Sequence, residues 1–241
     1  MHLAIVTGAS AGLGAALAAE ALTRGADVVD VSRSGPEDDR IAHWPADLAE
    51  PAAWREVSGR LADAVTGVPA GGRVTVVHNA GVLEPIGWAS EVDADAYERA
   101  VLLDAAAPLV LGRAALAALA PRTDLARRSL CQLSSGAASS AYPGWSHYCA
   151  AKAAVDHWVR VVGTEQQRRG GVEVCAVAPG VVDTGMQATI RATDAGDFPA
   201  VERFHELHDT GALAAPADVA TRLWDLLDAG VESGTVLDLR G

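Results

Sequence analysis

Tyr148 and Lys152 are four positions apart, so they share one face of a helix predicted over residues 146–169. A free tyrosine has a pKa of about 10, which is too high for proton transfer at neutral pH. An ammonium group one helical turn away favours the phenolate. Ser135 follows a strand predicted over 129–134 and can hold a carbonyl oxygen. The three residues therefore predict general-acid catalysis on a carbonyl group. The alternative is a structural role, in which Tyr148 is a buried helical residue and Lys152 a solvated surface charge.

A glycine-rich turn, with spacing G-x-x-x-G-x-G, follows a strand predicted over 3–7 and opens a helix predicted over 12–24. Glycines let the backbone approach a pyrophosphate, and the free N–H groups of a helix N-terminus attract it. The context of strand, turn, helix and second strand favours dinucleotide binding. The residues assigned to this contact are Gly8, Ser10, Gly12, Leu13 and Gly14.

The end of the second predicted strand carries Ser32 and Arg33. An arginine and a serine suit a 2′-phosphate, whereas a carboxylate at that point suits a free 2′-hydroxyl. Asp30 is the objection, because it shares a face with Ser32 by alternation along the strand. The arrangement favours NADPH over NADH. Asp47 either hydrogen-bonds the adenine or caps the helix that begins near Pro51.

These residues need a scaffold in which short apolar strands alternate with helices. Near-continuous apolar runs suit parallel strands covered on both faces. We predict an α/β fold, a single Rossmann-like doubly wound parallel sheet with helices on both faces, as one domain over 1–241. The irregular segment at about 184–214 is expected to be a substrate loop, or else a solvated helical excursion. Strands are predicted over 3–7, 27–31, 73–78, 129–134, 172–178 and 235–239, and helices over 12–24, 51–65, 95–120, 146–169 and 216–229, with Pro108 kinking the third.

The composition restricts the partners. The formal net charge is −12, from 19 basic and 31 acidic residues, which argues against nucleic acid or an anionic membrane as the main partner. No run of 18 apolar residues and no signal peptide are visible, and a chain of this size needs neither a metal nor disulfides. Its three separated cysteines are expected to be reduced thiols of a cytoplasmic protein.

Taken together, the motifs resemble those of the classical short-chain dehydrogenases/reductases over nearly the whole chain. The matching segments are the turn from Thr7 to Gly14, Asn79-Ala80-Gly81, Ser135, Tyr148, Lys152 and Pro179-Gly180. The resemblance implies hydride transfer between nicotinamide C4 and a carbinol carbon, and a homo-oligomer, either dimer or tetramer. It places Asn79, Ala80 and Gly81 on the adenosine-ribose side. It assigns the nicotinamide to Pro179, Gly180, Val182 and Thr184, and its ribose to Lys152.

The chain looks most like the branch that contains the sepiapterin reductases and the bacterial benzil reductases. Gly144-Trp145, Asp183-Thr184 with Met186, and the segment 233–238 carry this similarity. It implies that Asp238 anchors an amino-pyrimidine edge, although a strand-end residue bonded to backbone is the alternative. Trp145, Met186 and Phe198 are expected to supply the apolar walls of the substrate site.

One position departs from the family pattern. Asp104 stands where family members place an asparagine that props a water in the proton relay. An ionised aspartate accepts hydrogen bonds but cannot donate them. His78, at the end of a predicted strand, is expected to be structural.

The favoured function is that of an NADPH-dependent carbonyl reductase acting on a ketone or 1,2-diketone of a small aromatic or pterin-like substrate. Two alternatives remain: an NAD-dependent alcohol dehydrogenase, and an NAD(P)-binding sensor with weak or no turnover.

Overall fold

The computed structural model describes residues 1–240 and contains a seven-stranded parallel sheet in the order β3-β2-β1-β4-β5-β6-β7. The chain leaves β1 in one direction for β2 and β3 and in the other for β4 to β7. A topological switch point therefore lies between β1 and β4. The strands are β1 (His2–Thr7), β2 (Asp27–Ser32), β3 (Ala42–Pro45), β4 (Arg73–His78), β5 (Arg127–Leu133), β6 (Glu173–Ala178) and β7 (Thr235–Asp238).

Helices cover both faces of this sheet, which confirms the predicted fold class. Leu3 and Ile5 of β1 pack toward one face and Ala4 and Val6 toward the other, so the strand is buried throughout. The helices are α1 (Gly12–Thr23), α2 (Pro51–Gly67), α3 (Ala94–Val101), α4 (Ala107–Leu119), α5 (Ser146–Arg169), α6 (Gly185–Arg191), α7 (Val201–Asp209) and α8 (Pro216–Ala229). One face carries α1 and α8, and the other carries α2, α4 and α5.

The long helix predicted over 95–120 is interrupted before the proline rather than kinked at it. A π-helical turn, Leu102–Ala106, separates α3 from α4, and Pro108 lies in the first turn of α4. Pro108 has no N–H to donate to the carbonyl of Asp104, four residues earlier, so a regular helix cannot continue through this point. Such turns often occur at functional sites.

The segment predicted as an irregular loop contains α6 and α7, which pack on an aromatic cluster at the carboxyl end of the sheet. Trp145 stacks on Phe198 with ring centroids 4.3 Å apart and an interplanar angle of 11°. Phe204 and Tyr142 pack against the ring of Trp145. This cluster joins the segment to the start of α5, the helix predicted to carry the chemistry.

One helical stretch, Ala94–Leu119, is long and apolar enough to cross a membrane by length and composition alone. In this fold its second half packs against α2, β4 and β5. A core helix meets the same criterion, so the stretch is weak evidence for a membrane span.

Candidate active site

The ends of β1 and β4 are tied together at the switch point through Thr7. Its buried hydroxyl accepts hydrogen bonds from the N–H groups of Asn79 at 3.0 Å and Ala80 at 2.9 Å. The side-chain amide of Asn79 in turn donates to the carbonyls of Thr7 and Gly8. Asn79 therefore fixes the glycine-rich turn from the neighbouring strand.

The turn leaves no room for a side chain at Gly14. A Cβ there would lie 2.0 Å from the carbonyl oxygen of Gly8 and 2.5 Å from Nδ2 of Asn79. Gly8 itself has φ +72°, a left-handed conformation that favours glycine. The backbone is thus bare where α1 begins at Gly12, with its first N–H groups free of helical partners. This cradle fits the pyrophosphate of a dinucleotide.

A cleft of about 410 Å³ opens above the switch point, and every residue predicted to bind cofactor lines it. The structure brings together residues from six separate segments of the chain. The lining includes Gly8, Ser10, Gly12, Leu13, Gly14, Ser32, Arg33, Asp47, Asn79, Ala80, Gly81, Tyr148, Lys152, Pro179, Gly180, Val182 and Thr184.

At the tip of β2 the carboxylate of Asp30 faces inward. It is fully buried and accepts hydrogen bonds from Ala9 N–H at 2.8 Å, Ser32 Oγ at 2.6 Å and the ring of His43, through Nδ1, at 2.9 Å. All of these bonds are internal, so Asp30 does not line the cleft. Arg33 does line it and is exposed.

Asp47 does not cap the helix that follows it. The N-cap of α2 is Glu50, without a side-chain cap. Asp47 accepts a hydrogen bond from Ala49 N–H at 3.0 Å and pairs with Arg99 at 2.8 Å. The capping alternative is wrong, and the carboxylate remains in the cleft wall.

Ser135, Tyr148 and Lys152 lie at the other end of the cleft. Lys152 is buried, and its Nζ donates to the carbonyl of Leu133 at 3.0 Å and lies 5.6 Å from the centre of the Tyr148 ring. Ser135 accepts a hydrogen bond from Ala137 N–H at 3.1 Å, which leaves its own O–H to donate. The end of β5 and the first turns of α5 therefore present a hydroxyl, a phenol and an ammonium to one space.

The protein environment keeps the Tyr148 phenol protonated. Burial raises its pKa above the usual value of 10, the Asp104 carboxylate raises it further, and a hydrogen bond with Ser135 lowers it. Burial is the largest of these effects on the pKa of Tyr148. A protonated phenol is the form that donates a proton to a carbonyl.

Asp104 lies in the π-helical turn, completely buried behind the cleft. Its Oδ1 accepts from Val82 N–H at 2.9 Å, and its Oδ2 has no partner among residues 1–240. A Cβ on Gly81 would lie 2.9 Å from Asp104 Oδ1 and 3.7 Å from Lys152 Nζ, so the two charges meet at this glycine. Burial raises the pKa of Asp104 to about 6, against the opposing effects of Lys152 and Val82 N–H.

Not all of the predicted substrate residues reach the cleft. Met186 lines it, whereas Trp145 and Phe198 are buried against each other in the aromatic cluster behind Tyr148. Asp238 lies at the end of β7 and pairs with Arg240. His78 is buried outside the cleft lining, where burial lowers its pKa to about 4.

Gln187 is a candidate site residue that the sequence pattern did not indicate. It is almost fully buried, lines the cleft, and its Oε1 has no hydrogen-bond partner within residues 1–240. A buried amide without a partner is costly, which marks Gln187 as a candidate ligand contact. A glutamine in an irregular stretch gives no signal that could have identified it.

A family model described as short chain dehydrogenase matches residues 2–195. The chain belongs to this family. Members of the short-chain dehydrogenase family are NAD(P)-binding oxidoreductases that act on C=O or CH–OH groups.

Among similar short-chain dehydrogenases is benzil reductase ((S)-benzoin forming) of Bacillus subtilis (strain 168), 34% identical over 243 aligned positions that cover 100% of this chain and 99% of that protein. Sepiapterin reductase of Bos taurus is 30% identical over 203 positions, covering 83% and 73%. The crystal structure of the KRED1-Pglu enzyme superposes with a TM-score of 0.82 at 30% identity, covering 98% of this chain and 100% of that one.

Proposed function

We propose that this short-chain dehydrogenase is an NADPH-dependent carbonyl reductase for a ketone or 1,2-diketone of a small aromatic or pterin-like substrate. The observation that carries the proposal is that Ser135, Tyr148 and Lys152 line the same cleft as the glycine cradle. The full-length similarity to benzil reductase supports the diketone class, and the similarity to sepiapterin reductase supports the pterin class.

In the proposed mechanism the residues at the end of the cleft position a carbonyl and supply its proton. The glycine cradle from Gly8 to Gly14 would hold NADPH, which when bound would supply the hydride for the carbonyl carbon. Ser135 donates a hydrogen bond to the carbonyl oxygen, and Tyr148 transfers its proton to that oxygen as negative charge develops there. Lys152, fixed by the Leu133 carbonyl, holds positive charge close to the phenolate that remains.

Arg33 is the proposed contact of the 2′-phosphate, since the internal bonds of Asp30 keep that carboxylate away from the ribose. We further propose that residues 1–241 act as one domain, that α6 and α7 form its substrate segment, and that the chain forms homo-oligomers. The cytoplasm is the proposed location, consistent with three free cysteines.

A substrate panel tests the proposed function. Purified protein is assayed with NADPH and benzil, with NADPH and sepiapterin, and with NAD and a secondary aromatic alcohol. Turnover of benzil or sepiapterin with NADPH that is faster than oxidation of the alcohol with NAD supports the proposal. Preferred oxidation with NAD would instead identify an alcohol dehydrogenase, and cofactor binding without turnover of any substrate would identify a sensor.

A further inference from the structure

Asp238 and Arg240 lie at the end of β7, beside the end of β6. Asp238 is in register with Ala178, and the N–H of Leu239 donates to the Ala178 carbonyl at 2.9 Å. Ala178 immediately precedes Pro179-Gly180 in the cleft wall. The end of β7 is thus fixed to the strand that carries these residues.

The side chain of Arg240 lies against Gly180, which lines the cleft, and against Gly136. A Cβ on Gly180 would be 3.0 Å from Cγ and 3.3 Å from Cδ of Arg240, and a Cβ on Gly136 would be 3.4 Å from its Nη2. Gly136 directly follows Ser135. Both glycines make room for the arginine, and its guanidinium lies beside the backbone that presents the catalytic serine.

The carboxylate of Asp238 is occupied by this arginine. It accepts from Arg240 N–H at 2.9 Å, from Nε at 2.9 Å to one oxygen and 3.0 Å to the other, and from Nη2. The hydrogen bonds from Arg240 hold the pKa of Asp238 below its usual range. Both oxygens are engaged, so Asp238 does not offer the open acceptor edge that an amino-pyrimidine needs.

A second arginine contacts the aromatic cluster. Arg203 in α7 donates through Nη1 to the hydroxyl of Tyr142 at 2.6 Å. Tyr142 also packs on Trp145 in the aromatic cluster. Arg203 is therefore held by the aromatic cluster, and Arg240 is the arginine that lies beside Gly136.

We propose that Arg240, oriented by Asp238, is a specificity-determining residue that binds a second oxygen acceptor next to the reacting carbonyl. This inference rests on the proposed function and narrows its substrate class to 1,2-dicarbonyl compounds, with 2-oxo carboxylates bound most strongly through their charge. The Arg240 side chain is about half exposed, at 52%, and an exposed ion pair contributes little stability. Turning part of the guanidinium toward a ligand therefore costs little.

Phenylglyoxylate and acetophenone form a matched pair of probes, because both carry an aryl ketone and only the first has a carboxylate beside it. Their affinities for the protein–NADP complex are measured by calorimetry, and their KM and kcat by turnover with NADPH. The variants are Arg240→Gln, Arg240→Lys and, as a control, Arg40→Gln. Arg40 forms the same two-residue pair with Asp38 before β3, at the opposite edge of the sheet.

Arg240→Gln is expected to weaken phenylglyoxylate binding and raise its KM by roughly 10- to 100-fold, the range for a hydrogen bond to a charged group. Acetophenone binding and kcat stay unchanged, Arg240→Lys recovers part of the loss, and Arg40→Gln has no effect. Equal losses for both probes, no loss in Arg240→Gln, or no phenylglyoxylate binding to the wild type would overturn the proposal. If phenylglyoxylate binding depends on Arg240 but no ketone is reduced, the proposed function fails and this subsite stands.

Discussion

The hydroxyl of Ser32 donates its hydrogen bond to the buried carboxylate of Asp30, with 2.6 Å between Oγ and Oδ2. Ser32 Oγ also accepts a hydrogen bond from Gly35 N–H at 3.1 Å. The Ser32 proton is therefore committed to Asp30 and is not available to a phosphate. Of the two residues predicted to bind the 2′-phosphate, Arg33 carries the donors that remain.

Arg33→Ala is expected to weaken NADPH binding by roughly 10- to 100-fold, the range for one hydrogen bond to a charged group, and to leave NADH binding unchanged. Titration of each cofactor into the purified variants measures this difference. Arg40→Ala is the matched control, because its guanidinium is already paired with Asp38. Equal losses for NADPH and NADH would show that Arg33 acts on general binding or folding.

Ser32→Ala distinguishes the role of Ser32 from that of Arg33 at the end of β2. It should leave NADPH affinity nearly unchanged and destabilise the fold by about 1–3 kcal/mol, since Asp30 loses a buried donor. Urea denaturation measures the stability, and titration measures the affinity. A large loss of NADPH affinity with unchanged stability would show that the hydroxyl binds the phosphate directly.

Asp104→Asn tests the buried acid behind the cleft. Folded Asp104 keeps its proton up to about pH 6, whereas its ordinary pKa is 3.8. The folded state therefore binds more protons in that window, and the free energy of unfolding falls as pH rises through it, by about 3 kcal/mol for two pKa units. The variant should lack this fall in denaturation experiments at a series of pH values.

The same variant should change the pH dependence of ketone reduction. Asp104 raises the pKa of both Tyr148 and Lys152, so its titration near pH 6 enters the rate. The asparagine variant should lose that inflection while its NADPH affinity stays the same. Superimposable profiles would make Asp104 a bystander, and the relay would run through water or another group.

Gly14→Ala tests the glycine cradle. The new methyl group would overlap the Gly8 carbonyl and the Asn79 amide, so we expect a loss of about 1–3 kcal/mol in stability, the usual cost of overpacking, and of most NADPH affinity. Gly59→Ala is the control, because no neighbouring atom of residues 1–240 would lie within 4 Å of a Cβ at that position in α2. That change should stabilise the protein by about 0.5–1 kcal/mol. Wild-type NADPH binding by the Gly14 variant would show that close backbone approach is not required.

The sequence predicts the parts of this molecule that follow from local pattern. The central strands are continuous apolar runs because both of their faces are buried, and the cofactor residues follow the ends of those strands. β3 escaped detection because Ala42–Pro45 is a short edge strand with a histidine and a proline. Helices α6 and α7 escaped because short turns of helix between glycine, aspartate and proline look irregular.

Contacts between distant segments set the remaining features. Nothing near Trp145 in the chain indicates that it stacks on Phe198, so its removal from the cleft wall is visible only in the fold. The partner of Asp238 is two residues away, yet the pair matters because of Gly136 and Gly180, which the sheet brings beside it. Likewise, the π-helical turn that buries Asp104 is indicated in the sequence only by Pro108.

The most direct test of the proposed reduction through Tyr148 is the rate of benzil reduction by NADPH in the wild type and in Tyr148→Phe, with NADPH affinity measured on both proteins. The ring of phenylalanine preserves the packing against Trp145, and only the proton donor is removed. We expect the wild type to reduce benzil and the variant to lose turnover by at least roughly 100-fold, the lower range for a general acid, with unchanged NADPH affinity. Reduction at near wild-type rate by Tyr148→Phe would contradict this account.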